Sequence, residues 1–349
     1  MAVANSRIEW TESTWSPVTG CEKVSPGCDN CYAEGIARRF AGSKAFPNGF
    51  GVTLRPERLD QPLRWKRPRR IFVNSMSDLF HDAVPDEYIV QVFARMWWSP
   101  RHTFQILTKR HGRMHSLLPR IEEHLRAMAD DLTLVDAPTP LTWPLPNVHL
   151  GVSVENQKWA DIRIPTLLDT PAAVRWISAE PLLGLVKLDP AWLAPPIACP
   201  RTAATLGGNS ESTAAFAQLA RAVARRLTSE STEPVPGFLD WCVAGGESGP
   251  GARPMHPDWA RSLRDQCVQS GIPFYFKQNG EWIRRRDAET WEDPWTSPRV
   301  RWVAPDGSVH EHGAYAGEGR SQGWVQVQRV GKKAAGRELD GRTWDQFPA

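Results

Sequence analysis

Short apolar runs recur along the chain, each rich in β-branched or aromatic residues and each ending abruptly in polar ones. They are RIFVNSMSD (70–78), TFQILTKR (103–110), NVHLGVSVEN (147–156), VRWISAEP (174–181), DWCVAGGES (240–248) and PFYFKQNGE (273–281). Near-continuous apolar runs of this length read as parallel strands buried on both faces. Helical patterns lie between them. PDEYIVQVFARMWW (85–98) opens on a Pro and two acids suited to a first turn, and HPDWARSLRDQCVQSG (256–271) ends on a Gly suited to a C-cap. Strand–helix alternation with right-handed crossovers gives a parallel sheet, and six such units predict an α/β fold, a full or partial TIM-like (β/α) barrel.

Barrel active sites are assembled from the C-terminal ends of the strands. Those ends deliver Asn74, Ser75 and Asp78; Thr108, Lys109 and Arg110; Ser153, Glu155 and Asn156; Glu180; Glu247 and Ser248; and Lys277 and Gln278. Ser75, Asp78 and Ser153 read equally well as helix caps. Six independent runs ending this way nonetheless predict one polar mouth. In GGESGPGARPM (245–255), Gly245 and Gly246 let a ligand approach the backbone. Glu247 projects a carboxylate, and Arg253 is suited to grip a carboxylate or phosphate through two parallel hydrogen bonds. Lys277 and Gln278 are placed to close the mouth over an anionic group.

Two segments interrupt the alternation. Residues at about 190–237 are Pro-, Ala- and Ser-rich with one helix expected at 213–227, and read as an exposed insertion; 120–145 are expected to hold a short helix and a Pro-rich return. From 282 onward the pattern turns to hairpin-like pieces such as RVRWVAPDGSVHEHG, with PDG as the turn. The expected division is therefore a barrel over 1–281, carrying the insertion, and a β-rich extension over 282–349 that packs on it. VGKKAAGRELDGRTWDQFP (330–348) places Lys332 and Lys333 beside glycines. It lacks P-loop spacing and context, so it reads as a segment packing beneath the barrel.

Composition narrows the class. The 349 residues are 41% apolar and 23% charged, as in a soluble globular protein, and no stretch approaches the apolar length of a membrane span. The N-terminus has no apolar h-region, which places the chain in the cytoplasm and makes structural disulfides unexpected. A net charge of +3 does not by itself argue for nucleic acid. Basic runs at 64–70 and Arg284 to Arg286, and 17 tryptophans, many in loops, are compatible with it or with an ordinary solvated surface.

The most chemical feature is GCEKVSPGCDNCYAE (20–34), which puts Cys21, Cys28 and Cys31 in one loop of turn-forming residues. A helix beginning at CYAE would favour thiolate over thiol at its N-terminal end. Structural zinc takes four ligands, yet no fourth Cys or His lies nearby; zinc closed by a remote ligand and three unligated thiols both stay open as readings. An iron–sulfur cluster with three protein thiolates and one iron left open is the third, and it leaves a position for a chelating cosubstrate.

These segments carry a resemblance. The loop resembles the cluster loop of radical S-adenosylmethionine (SAM) enzymes. Together with NSMSDLFH, GVSVENQ, SAEPLLG, GGESGPGARPM and the C-terminal stretch, it is similar to a phage-associated, radical-SAM-like family of unknown substrate. Six residues lie between the first two cysteines where the superfamily commonly has three, and the aromatic follows the last cysteine as Tyr32 instead of preceding it. The resemblance implies a [4Fe–4S] cluster on Cys21, Cys28 and Cys31 and SAM bound at its open iron. It further implies SAM contacts among Ser75, Asp78, Ser153, Glu155, Asn156, Glu180 and Glu247, and substrate contacts at Arg253, Lys277 and Gln278. A reducing electron donor and a nucleic acid or nucleotide substrate complete that expectation. A peptide-modifying enzyme with the same cofactors and a non-catalytic zinc- or cluster-stapled binding protein are the alternatives. A hydrolase lacks a convincing nucleophile–base pair.

Overall fold

In the computed structural model, which describes residues 6, 8–131, 140–193, 237–290, 292, 297–311 and 322–348, all six apolar runs are strands. In chain order the elements begin with β1 (Ser13–Trp15), β2 (Val18–Thr19), α1 (Tyr32–Arg39), β3 (Thr53–Leu54), β4 (Arg70–Val73), α2 (Asp86–Trp97) and β5 (Thr103–Thr108). Then come α3 (His111–Asp130), β6 (Val148–Ser153), α4 (Gln157–Leu168), β7 (Val174–Ala179), β8 (Trp241–Gly245), α5 (Pro257–Ser270) and β9 (Phe274–Gln278). The insertion expected at about 190–237, with Cys199 and its helix, lies outside the described residues except for 190–193 and 237. So does 132–139 of the Pro-rich return.

One parallel sheet runs β1-β4-β5-β6-β7-β8-β9, each strand beside its predecessor in this order. This is barrel order. Among the described residues β1 and β9 form no ladder with each other, so the barrel is partial. The sheet is nevertheless curled. The Trp10 ring lies 4.7 Å from Phe72 on β4, 5.2 Å from Trp176 on β7 and 6.0 Å from Trp241 on β8. In a flat sheet β4 and β8 would stand roughly 19 Å apart, four spacings of about 4.8 Å. One indole reaches both because the strands wrap around it.

Alternation along the strands sorts the two faces. Ile71, Val73, Ile106, Ile177, Cys242, Phe274 and Phe276 join the core shared with the helices, whereas Phe72, Trp176, Trp241, Val243 and Tyr275 form the separate cluster around Trp10. The helices start where local chemistry starts them. Asp86 and Glu87 occupy the first turn of α2, the Asn156 side chain accepts from Trp159 N–H at α4, and Gly271 closes α5 at φ 69°. α3 is longer than the sequence suggests and continues through Pro119.

The chain's end seals the opposite side of the sheet from the strand C-termini. Asp345 bridges Tyr275 antiparallel, Trp241 Nε1 donates to Gln346 O at 2.9 Å, and Arg70 lies 4.1 Å over the Phe347 ring. A second sheet, order β10-β13-β11-β12, is built from β10 (Trp282–Arg284), β11 (Val300–Val303), β12 (Val309–Glu311) and β13 (Val325–Arg329). The β11–β12 hairpin turns at Pro305-Asp306-Gly307. It meets α5 through Trp259 Nε1, which donates to Pro305 O at 2.8 Å. Helix α6 (Lys332–Ala335) follows. Among the described residues no helix is long and apolar enough to cross a membrane.

Burial holds several imidazoles below their ordinary value, among them His81, His102, His111 and His256, and pushes His149 on the interior face of β6 down to about 4. Such a group is neutral in both states above pH 6.5. As pH falls below 6.5 the unfolded chain takes up the proton first, so stability is lost down to the folded value. Denaturant midpoints measured from pH 7 to 4 are expected to fall, and His149→Gln is expected to flatten part of that slope. An unchanged slope in the variant would acquit His149.

Candidate functional site

The interior face that is aromatic low on the strands becomes polar at their C-terminal ends. Continuing by two residues from Phe72, Leu107, Gly151, Trp176 and Tyr275 gives Asn74, Lys109, Ser153, Ser178 and Lys277, with Glu180 two beyond Ser178. These residues line a cavity of about 220 Å³ whose apolar side is Ile8, Trp10, Phe72 and Leu107. Its remaining side is the cysteine loop. Cys21, Gly27, Cys28, Asn30 and Cys31 all line it.

Local geometry shapes that loop. Gly20 sits at φ 87°, and a Cβ there would meet Gly51 O at 2.2 Å, so only glycine makes the turn into the loop. Its N–H donates to Met76 O at 3.1 Å, tying the loop's start to the segment after β4. Pro26–Cys28 form a 3-10 turn, and Cys31 is the residue before α1. Tyr32 Oη then donates to Ser75 O at 2.6 Å. The Cys21 thiol lies 3.9 Å from Arg110 Nη1. Burial first, then Asp78, push it up to about 11, with Arg110 pulling the other way. A bound metal displaces such a proton outright.

Whether this loop suits a cluster is a question of donors. All three cysteines are free thiols. Among the described residues no group of three or more His, Cys, Asp or Glu side chains is gathered to hold one metal ion. A cuboidal iron–sulfur cluster takes its cysteines on separate irons, so they need to surround a volume instead of meeting at a point. Three thiols of one loop lining one cavity fit that group.

The other residues singled out from the sequence divide by position. Ser75, Asp78, Ser153, Glu180, Glu247 and Lys277 line the cavity; Glu155, Asn156, Arg253 and Gln278 do not. Asp78 accepts from Thr108 Oγ1 at 2.7 Å and from the N–H groups of Phe80 and Lys109 at 3.0 and 2.9 Å. Ser153 Oγ accepts from Lys109 Nζ at 3.0 Å. Glu180 Oε1 accepts from Lys277 Nζ at 2.7 Å and Gln278 Nε2 at 3.0 Å. Glu155 has no exposed surface, and Asn156 caps α4. Gly246 packs backbone to backbone, since a Cβ there would meet Asn279 O at 2.1 Å. Its smallness serves the junction of the β8 and β9 loops.

Asn74 and Lys109, named among the strand ends, and Ser178, which the sequence did not single out, complete the wall. Counting by two along each strand finds all three. Asn74 is buried at φ 60°, a conformation that Asn tolerates better than most residues, and its Nδ2 has no acceptor among the described residues. Arg163, fully buried on α4, donates to Ser153 O at 2.8 Å and to Glu155 Oε2 at 2.9 Å. Its one sequence signal is a cation at helical spacing from Trp159, over whose ring its guanidinium lies at 4.0 Å.

Residues 5–348 match a family described as Protein of unknown function (DUF5131). Comparison with curated proteins gives no match. Among solved structures the chain is similar to a spore photoproduct lyase mutant, at 12% identity and a TM-score of 0.34. The likeness covers 78% of this chain and 65% of that one, just under two thirds of its length.

Proposed function

The chain belongs to the family described as proteins of unknown function (DUF5131), and from its own site we propose that it is a radical-SAM-type enzyme acting on a nucleic acid or nucleotide. The observation that carries this reading is the placing of Cys21, Cys28 and Cys31, free and from one loop, on the same cavity as the polar strand ends. In the proposal these three thiolates hold a [4Fe–4S] cluster. When bound, a cluster held there would supply the one electron that reductive cleavage of the SAM C5′–S bond to methionine and a 5′-deoxyadenosyl radical requires.

The chain's own groups then have distinct work. Ser75 and Asp78, beside the loop's start, serve the charged methionine end. Ser153 and Glu180 serve the ribose and sulfonium. Lys277 offers a cation to an anionic substrate group, and the Trp10, Phe72 and Leu107 side suits a flat ring while keeping water out. A reducing protein or small molecule must deliver the electron.

Anaerobic purification with assays for iron, sulfide and zinc tests the reading, followed by reduction with SAM present and mass spectrometry for 5′-deoxyadenosine and methionine. About four irons and four sulfides per chain are expected, with both products. Zinc alone, or a reduced cluster that leaves SAM intact, would end it. Glu180→Gln is expected to keep the iron and to weaken SAM binding about ten- to a hundred-fold, the effect of losing one charge-assisted hydrogen bond. Unaltered SAM affinity would remove Glu180 from the site.

A further inference from the structure

Two mouth carboxylates are engaged by the cysteine loop itself. Glu247 accepts four hydrogen bonds, about a carboxylate's full capacity. They come from Asn30 Nδ2 at 3.1 Å, from Arg253 N and Nε at 2.8 Å each, and from Arg253 Nη2 at 2.7 Å. The same guanidinium reaches into the loop, donating to Pro26 O at 2.8 Å and to Asp29 Oδ2 at 3.1 Å. On the other side Glu155, fully buried, accepts from Ser25 Oγ at 2.5 Å and from Arg163 at 2.9 Å. A Cβ on Gly27 would meet Glu155 Cγ at 2.5 Å, so the loop backbone lies directly on that side chain.

We propose that Glu155 and Glu247, the latter through Arg253, are positioning residues that clamp residues 25–30 of the cysteine loop from two sides. β6 and β8 lie on either side of β7 in the sheet, so the two clamps reach the loop from separate strand ends. Between them they fix the stretch that carries Cys28 and leads into Cys31. The geometry of those two thiols is therefore set before any cofactor arrives. The Glu155 clamp lies in a buried setting, where breaking it leaves an unsatisfied group and frees the loop. The Arg253 contacts to the loop are exposed, and there the hold comes from several hydrogen bonds converging on one guanidinium. Ligand contacts fall instead to Ser75, Asp78, Ser153, Glu180 and Lys277, which line the cavity.

Hydrogen exchange followed by mass spectrometry on the metal-free protein tests this without any cofactor. In Ser25→Ala and Arg253→Ala, amides of 25–31 are expected to exchange about tenfold faster, while β6, β8 and α4 keep wild-type protection. Arg253→Lys, which keeps the charge and loses the fork, is expected to fall between wild type and Arg253→Ala. Should Arg253→Ala lose protection throughout, Ser25→Ala decides. Wild-type exchange of the loop in Ser25→Ala would overturn the proposal. So would a Glu247→Gln protein with wild-type loop exchange and lost SAM binding. A second readout rests on the cluster reading: iron should leave the clamp variants faster in air. Faster loop exchange in a protein that never takes up iron would keep the clamp and defeat the cluster.

Discussion

Replacing Cys21, Cys28 or Cys31 singly with Ala is expected to strip iron and sulfide from the anaerobically purified protein, whereas Cys242→Ala leaves both at the wild-type level. The contrast follows from position. The three loop thiols line one cavity, and in the proposed cluster, with three protein ligands, each removal would open a second iron to solvent. Cys242 is buried on the helix-facing side of β8, where the hydrogen bond with Cys267 on α5 first, and then burial, push its thiol up, and it does not line the cavity. It behaves as a small apolar residue there, and losing it costs packing only. Elemental analysis of the four variants, with the charge-transfer absorbance of a cluster as a second signal, checks the expectation. Full iron in any one loop variant would show that another group substitutes for that thiolate. Iron lost from Cys242→Ala would point to a centre away from the cavity.

How much of this was legible in the sequence depends on range. Each of the six apolar runs became a strand, because a strand buried on both faces needs an unbroken apolar stretch. β1 escaped notice: three residues, Ser13–Trp15, carry no such run, and only pairing with β4 makes them a strand. α4 was hidden because its apolar positions do not fall on one stripe and Pro165 sits within it. α3 was cut short for the same reason at Pro119. Period-two counting reaches the cavity wall, so Ser153, Glu180 and Lys277 were readable as a set. It says nothing about what covers the wall. That Ser25 meets Glu155, 130 positions away, and Arg253 meets Pro26, 227 away, depends on how the loop folds over the mouth. No local pattern encodes it.

Trp10→Ala is expected to cost about 3–5 kcal/mol, the usual range for deleting a large buried aromatic, from a total that in most domains is only about 5–15 kcal/mol. Trp10 lies in the N-terminal segment just before β1 and is 3% exposed. Its ring is the common contact of Phe72, Trp176 and Trp241, residues of strands that only curvature brings together. Removing it leaves a void that the curled sheet cannot close without flattening, which would pull β4 away from β7 and β8. The same side chain bounds the cavity at the strand ends, so the void opens into it. Trp10→Phe should lose much less. Phenylalanine keeps much of the ring contact, and the indole N–H of Trp10 has no acceptor among the described residues, so the change breaks no hydrogen bond seen there. Denaturant unfolding of the two variants measures the difference, and the melting temperature should order wild type, Trp10→Phe and Trp10→Ala. If Trp10→Ala unfolds at the wild-type midpoint, the indole is not what holds the sheet in its curve, and the shape must come from the strands themselves.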